Sequence, residues 1–395
     1  MLNNQNTNKN IISSIFWKFG ERIITQGISF IVSLILARIL VPEDYGAVAV
    51  VMIFIDIANV ILTSGLNTAL IQKKEINTKE ISTIFYCGLA LSVILYFTLF
   101  FAAPLLARIY KIPILVSVIR VFALSLPIAS FQSIQTALIS RNLDFKKLFF
   151  STIGATACSA VVGISMALNG FGVWSLVAQS LVSTVISTFV LFFTVRWRPS
   201  LQFSLQAGKP LLSYGWKVMA TDLSGTMFNH LSSIIIGVSY TSVDLAYYTK
   251  GKQLPYMIRN NIYTTLISVL FPAMSRVSDD STAAKTIANK SIGMLSYIIF
   301  PMMFGMIAVS ENLVLVLLTE KWISITPFIC IVCLECIISI IPTISLQLLK
   351  ASGYSDIMLK LEFIKKPILL LSILVAMRYG VIAIALTLPL NTLID

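Results

Sequence analysis

Histidine is almost missing from this chain: His230 is the single one in 395 residues. Cysteine is nearly as scarce, with five, all inside apolar runs. Cys330, Cys333 and Cys336 stand at i, i+3 and i+6. On a helix that spacing spreads three thiols over nearly a full turn, so they read as small packed side chains and not as a metal site or a disulfide framework. No Walker A run occurs, so the chain holds no site of that kind for ATP hydrolysis. Charge is also scarce, at 12% of residues, against about 25% in soluble domains. Large loops are missing too. The longest connection, about 196–210, carries Pro199, Gly208 and Pro210 and is too short for a domain. This argues against a glycosidase, which needs paired carboxylates in a wet site. It argues equally against a glycan polymerase or ligase built on a large outer loop.

Acidic residues number 17 against 29 basic ones, for a net charge of +12. A nucleic-acid partner would need a soluble basic face. Here the basic residues sit mainly in short loops between apolar runs, where they act as topology signals and headgroup contacts.

Apolar residues dominate, at 57% with a mean hydropathy of +0.89. A membrane span needs about 20 mostly apolar residues. Eleven segments qualify, at about 14–40, 45–70, 82–104, 114–139, 148–168, 172–195, 211–238, 253–275, 290–318, 323–349 and 362–379. A twelfth begins near Gly380 and is short at Asp395, so the expectation is a last span that continues beyond this sequence. The first ten residues are polar, and the run after them is too long for a signal-peptide core; it reads as a retained first helix. Placing the N-terminus in the cytoplasm puts seventeen Lys and Arg in inside segments. These include Lys9, Lys74, Arg141 and Arg276, against seven outside: Arg38, Arg108, Lys111, Lys250, Lys252, Lys321 and Arg378. That bias sets the expected orientation.

The chain repeats itself. Arg120, Pro127 and Gln132 correspond to Glu335, Pro342 and Gln347 at one offset of 215. Trp17-Lys18 corresponds to Trp216-Lys217, and Gly172-Val173 to Gly380-Val381. Six spans per half is an even number, so the halves share one orientation and the repeat is parallel. The expected fold is an all-α integral membrane protein of about twelve transmembrane helices in two parallel six-helix bundles. Residues 1–200 form the first, 201–210 a cytoplasmic linker, and 211–395 an incomplete second. Duplicated helical membrane proteins are most often transporters, because two bundles can rock about a site between them.

Nine charges fall inside or at the edge of spans: Lys18, Glu21, Arg22, Asp56, Arg120, Lys217, Asp222, Arg259 and Glu335. A charge at mid-bilayer costs ~2.5–3.5 kcal/mol on insertion scales, so such residues face a cavity or a partner. Spans one, two, seven and eight each carry a polar stripe at helical period, as in Asp56, Asn59, Thr63 and Asn67, or Lys252, Tyr256, Arg259 and Tyr263. The simplest arrangement is a water-filled cleft lined by these four helices. Arg120, Arg259, Lys18, Arg22 and Lys217 are the candidate cations for an anionic cargo. Asp56, Asp222 and Glu335 are the candidates for ion coupling. Lys18, Glu21, Arg22 and Lys217 lie near span ends, where snorkelling explains them equally well. His230 reads as a packing residue before a proton relay. Ala155, Ser159, Gly163 and Ala167 form a small-residue stripe for helix contact. Pro127 and Pro342 are expected to kink their helices at equivalent depths. Trp174, Trp197 and Trp322 read as interfacial anchors.

Several strings carry a more specific likeness: SIFWKFGERIITQGISFIVSLILARILVPEDYG, SRNLDFKKL, NGFGVWSLV, LLSYGWKV, DLAYYTKGKQLPYMI, LFPAMSRV and LLTEKW. Through them the chain resembles, along nearly its whole length, the Wzx-type polysaccharide (oligosaccharide) flippases. That family resembles the multidrug, oligosaccharidyl-lipid and polysaccharide exporter superfamily. The resemblance implies a V-shaped pair of bundles like that of the multidrug exporters, in the bacterial cytoplasmic membrane. It implies a polyprenyl-pyrophosphate-linked oligosaccharide cargo, and a proton or sodium gradient in place of a cofactor. It implies a transporter and not an enzyme, serving surface polysaccharide synthesis with or without a glycan polymerase complex as partner. A multidrug or peptidoglycan-precursor exporter on the same scaffold is the alternative. Five basic against four acidic span residues favour an anionic cargo over a cationic drug.

Overall fold

The structure is a computed structural model that describes residues 2–73, 76–275, 277, 280–352 and 355–394. Lys74 and Arg276, two of the charges used for orientation, lie outside the described residues. Regular structure among the described residues is entirely helical. In chain order come α1 (Leu2–Ile39), α2 (Pro42–Gln72), α3 (Thr78–Ile109), α4 (Leu115–Phe122), α5 (Ser125–Asn142), α6 (Phe145–Leu168), α7 (Val173–Thr194) and α8 (Leu205–Ser239). Then follow α9 (Ser242–Ser275), α10 (Ser281–Ala308), α11 (Ser310–Leu317), a 3₁₀ turn (Glu320–Ile325), α12 (Thr326–Ile338), α13 (Ile340–Ala351), α14 (Ser355–Ala376) and α15 (Val381–Ile394). Eight segments of the described residues are long and apolar enough to cross a membrane. They do not include α8, α9 and α14, which carry charged and other polar residues along their length. The chain divides into two compact units, Met1–His230 and Leu231–Asp395. Of the linker expected at 201–210, residues from Leu205 onward are already helical.

Among the described residues, twelve candidate spans become fifteen helices because three of them are broken, the ninth at Val309 and two others at matched prolines. The fourth span breaks at Ala123–Leu124 and the tenth at Ser339, which are equivalent positions in the repeat. The cause is proline. Pro127 and Pro342 are each the third residue of the helix that follows the break. Proline has no N–H to give the carbonyl four residues back, and its ring crowds that carbonyl. In the first unit the released Ala123 carbonyl accepts from Leu126 N at 3.0 Å instead. The repeat shows again at Gly172 and Gly380, which precede α7 and α15 with φ of 52° and 109°. Glycine enters that backbone region without the Cβ penalty that other residues meet.

In the first unit, α6 packs along α7 and α1. The stripe Ala155, Ser159, Gly163 and Ala167 is buried, and a Cβ at Gly163 would lie 3.0 Å from Gln179 of α7. Val32, Leu36, Leu40, Ala160 and Ala167 form the α1–α6 core. A second core joins α2, α3, α5 and α8 through Leu70, Ile84, Phe85, Ile134 and Leu211. Arg141 ties α5 to the end of α2 by donating to the carbonyls of Leu70, at 3.0 Å, and Lys73. Such carbonyls lack intrahelical partners at a helix C-terminus, and a cation there also suits the helix dipole. The linker is held on α3: Ser200 N donates to Ser82 Oγ at 3.1 Å and Ser204 N to Thr83 Oγ1 at 3.2 Å.

Gly65 of α2 and Gly215 of α8 mark a close helix crossing in this unit. A Cβ at Gly65 would collide with the Gly215 carbonyl oxygen, and one at Gly215 would lie 2.9 Å from the Gly65 carbonyl oxygen. Small residues let helix backbones meet in this way. In the second unit, α12 is central and packs against α9, α10 and α15. Trp322 does not anchor an interface as expected. It is fully buried in the 3₁₀ turn, edge-on to Tyr247 with ring centroids 6.1 Å apart. The turn packs on α9 and encloses the indole in protein.

Gly65→Ala is expected to lower stability by ~1–3 kcal/mol, the usual range for overpacking, because backbone and not a pliable side chain meets the new methyl. Gly154→Ala, with nothing within 4 Å of its Cβ, is the control and should be neutral or stabilising. Thermal unfolding of the two purified variants in one detergent checks the difference.

Candidate functional site

α9 begins earlier than its apolar run suggests, and the reason is a cap. Thr241 Oγ1 accepts from Asp244 N at 3.1 Å, while the Asp244 carboxylate accepts from Thr241 N at 3.1 Å. This reciprocal arrangement is a capping box with Asp in the acidic place. It starts the helix at Ser242, so Lys250 and Lys252 are more than two turns inside α9 and not in a loop. The sequence signal was present, a threonine followed three residues later by an aspartate, but hydropathy counting passes over it.

Once helical, the stripe on α9 becomes a ladder of cations and rings. Lys252 Nζ lies 4.3 Å from the centre of the Tyr248 ring, 5.8 Å from that of Tyr256, and 3.3 Å from Tyr248 Oη. The Arg259 guanidinium lies 4.4 Å from the Tyr256 ring centre and 5.8 Å from that of Tyr263. Spacings of four, four, three and four residues from Tyr248 to Tyr263 put all five on one helix face. Cation–ring contacts of this geometry are worth ~0.5–2 kcal/mol each, most where water is excluded.

α12 supplies the opposite charge. Arg259 Nη1 donates to both oxygens of Glu335, at 2.9 and 3.1 Å. Glu335 is 7% exposed, so its charge needs this partner. Arg259 Nε and Nη2 donate to Asn260 Oδ1 at 3.4 and 3.3 Å. Tyr263 Oη and Ser339 Oγ share a hydrogen bond at 3.1 Å, at the α12–α13 break. Cys336 Sγ lies 3.7 Å from Glu335 Oε2. Thus a residue expected to clamp an anion and a residue expected to couple an ion are partners. Sequence spacing could not show this, since 76 positions separate them.

The equivalent position in the first unit is built differently. Arg120 closes α4, its guanidinium 4.2 Å from the Phe100 ring centre and its Nε 3.4 Å from the Phe100 carbonyl oxygen. No carboxylate pairs with it among the described residues. Asp56 of α2, half exposed, lies 3.4 Å from His230 Nε2 of α8, which brings the single histidine to a candidate coupling residue. Lys18 pairs with Glu21 at 2.8 Å on an exposed face of α1. Arg22 is half-buried on α1, while Lys217 and Asp222 are exposed on α8. Part of the α2 stripe is used internally: Ser133 Oγ donates to Asn67 Oδ1 at 2.7 Å, and Thr63 to its own helix at Asn59 O. A cavity of about 690 Å³, also beyond reach of sequence spacing, lies between α2, α3 and α8. It is walled by Ile61, Leu66, Leu91, Trp216 and Met219, with Lys209 at its lining.

Comparison with known proteins places this geometry in context. The succinoglycan biosynthesis transport protein ExoT of Rhizobium meliloti is 26% identical over 80% of this chain and 64% of its own length. The chain thus spans somewhat under two thirds of that relative. The lipopolysaccharide biosynthesis protein WzxC of Escherichia coli is 26% identical over 90% of this chain and 72% of its own length. Among solved structures, the lipid II flippase MurJ in an inward closed conformation superposes with a TM-score of 0.76. It covers 97% of this chain and 85% of that one at 14% identity, which is a likeness of fold. The profile of the polysaccharide biosynthesis protein family matches residues 35–327. With its apolar helices and that match, this multi-pass membrane chain belongs to the polysaccharide biosynthesis protein family.

Proposed function

We propose that the chain is a flippase that moves a polyprenyl-pyrophosphate-linked oligosaccharide across the bacterial cytoplasmic membrane for surface polysaccharide synthesis. The observation that carries this reading is the cation–ring ladder of α9 inside a family whose relatives include a named succinoglycan transport protein. Tyrosine faces suit the C–H faces of sugars, and Lys252 and Arg259 suit phosphate or acidic sugars. The lipid tail remains in the bilayer while the polar head occupies the protein interior. The N-terminus is cytoplasmic, in keeping with the Lys and Arg bias.

Energy comes from a proton or sodium gradient. An ion drives transport only through a difference in affinity between two states of the carrier, and Asp56, Asp222 and Glu335 are the carboxylates available for that role. Asp56 beside His230 and Glu335 beside Arg259 have partners that can exchange; Asp222 is exposed. Transport by alternating access, without covalent chemistry on the cargo, is the activity proposed. A glycan polymerase working at the outer face is the natural consumer of the product.

In a bacterium lacking its own glycan flippase, the full-length gene should restore surface polysaccharide and clear the lipid-linked intermediate. Arg259→Ala, at matched membrane abundance, should cut restoration roughly tenfold or more, since a charge-assisted hydrogen bond is worth ~1.5–3 kcal/mol. Undiminished transport by that variant would remove the anion role from Arg259.

The ion pair also makes a stability prediction. Arg259→Ala or Glu335→Ala alone should destabilise the purified protein by ~3–5 kcal/mol, the cost of stranding a buried charge. The double variant should lose less than the two losses added. Asp222→Asn, on an exposed face, should stay within about 0.5 kcal/mol of the parent. Thermal melts in detergent read all four proteins.

A further inference from the structure

The cavity between α2, α3 and α8 plays no part in the ladder on α9. Its volume is about 690 Å³, within the ~300–1,000 Å³ of clefts that hold one small ligand. Ile61 and Leu66 of α2, Leu91 of α3, and Trp216 and Met219 of α8 make its walls apolar. Ordered water needs about two to four polar partners, and these walls offer almost none. An alkyl chain needs none.

The polar side chains of the lining gather at one end. Besides the indole N–H they are Gln206, Lys209 and Ser213, all within the first nine residues of α8. No carboxylate lines the cavity among the described residues, so a cationic guest has no partner there. Lys209 is exposed and has no ion-pair or hydrogen-bond partner among the described residues. A lysine so placed lays its stem on apolar surface and keeps its ammonium in the headgroup layer. This end of α8 is seated on α3. A Cβ at Gly208 would lie 2.9 Å from Thr83 Cγ2, and Leu211 is buried in the core shared with α2, α3 and α5. Lys209, Ser213 and Trp216 follow at i, i+4 and i+7 on one helix face. From Lys209 to Met219 the helix rises about 15 Å, half the ~30 Å hydrocarbon core of a bilayer.

The repeat marks the same place. Trp17, the counterpart of Trp216, has the rings of Phe149 and Phe150 at 5.0 and 5.9 Å and Lys146 Nζ at 5.6 Å. Trp216 is 57% exposed and has no ring partner among the described residues. One tryptophan of the repeat is covered by protein; the other borders a cavity.

We propose that this cavity binds an anionic phospholipid, with one acyl chain between α2, α3 and α8 and its phosphodiester beside Lys209. The charges match, because a phosphodiester carries one negative charge and the lining carries one cation. A diphosphate-linked oligosaccharide carries more charge and many hydroxyls, and three polar side chains at one end are too few for it. The proposal therefore goes beyond the flippase reading: this lipid is retained, not moved. Gly65 and Gly215 also line the cavity, so the bound chain braces the α2–α8 crossing.

Native mass spectrometry of the purified full chain in micelles, with phosphatidylglycerol or phosphatidylcholine added, tests this. The expected result is one phosphatidylglycerol held about fivefold more tightly than phosphatidylcholine, the preference that one cation gives at an anionic membrane surface. The melting temperature should rise with it, since the lipid binds the folded state. Lys209→Gln should hold the two lipids alike, and Leu91→Trp, which fills the cavity, should hold neither. Phosphatidylglycerol with a diazirine on its acyl chain should label residues 61–66 and 212–219. Equal retention of both lipids by the parent chain, a preference unchanged in Lys209→Gln, or labelling confined to other segments overturns the inference. A polyprenyl diphosphate that displaces phosphatidylglycerol with higher affinity also overturns it and gives the cavity to the cargo. None of these results bears on restoration of surface polysaccharide, which tests the flippase reading separately. Should Leu91→Trp not fold, the labelled segments and Lys209→Gln decide.

Discussion

Lipid offers no hydrogen bonds, and the rest of this structure follows from that. Every backbone amide placed in the bilayer must find its partner within the protein, and helices do so without outside help. The regular structure of its described residues is therefore helical, and the breaks within its spans are repaired. Where Pro127 withholds an amide, the Ala123 carbonyl takes one from Leu126. Where the tenth span breaks at Ser339, that residue's amide still reaches the Glu335 carbonyl at 2.9 Å, and its hydroxyl meets Tyr263.

The same constraint sorts the side chains. Serine and threonine hydroxyls turn back onto their own helices, as Thr152 and Thr156 do onto the carbonyls of Leu148 and Thr152. Small residues stand where backbones must touch, as at Gly65 and Gly215. Charges are admitted in pairs or against aromatic faces. Glu335 has Arg259, and Arg120 has the Phe100 ring. The broken fourth and tenth spans thus hold different chemistry at one repeated position: a cation on a ring in the first unit, a carboxylate in an ion pair in the second. Duplication preserved the proline that shapes the backbone, while the charged residue ahead of it diverged.

These features give the second unit a polar face on α9 that is held by α12. Tyr248 and Tyr263 are buried, whereas Lys252, Tyr256 and Arg259 are only partly so.

Several things could be read from the residues alone. Mean hydropathy and run length dictate a helical membrane protein, because the bilayer sets both the length and the composition of a span. The repeat is visible through Pro127 and Pro342 and through Gly172 and Gly380, since these residue types mark backbone geometry that cannot be had otherwise. The ladder on α9 is legible as a stripe, because four residues and one helical turn nearly coincide. Tertiary structure alone decided the rest. It carried α9 past the apolar boundary through the Thr241–Asp244 cap, and buried Trp322, whose place at a span end suggested an interface. It set His230 against Asp56, and made Arg259 and Glu335 partners across 76 residues. The physical reason is that helical period reports which face a residue occupies. It carries no information about which other helix that face meets.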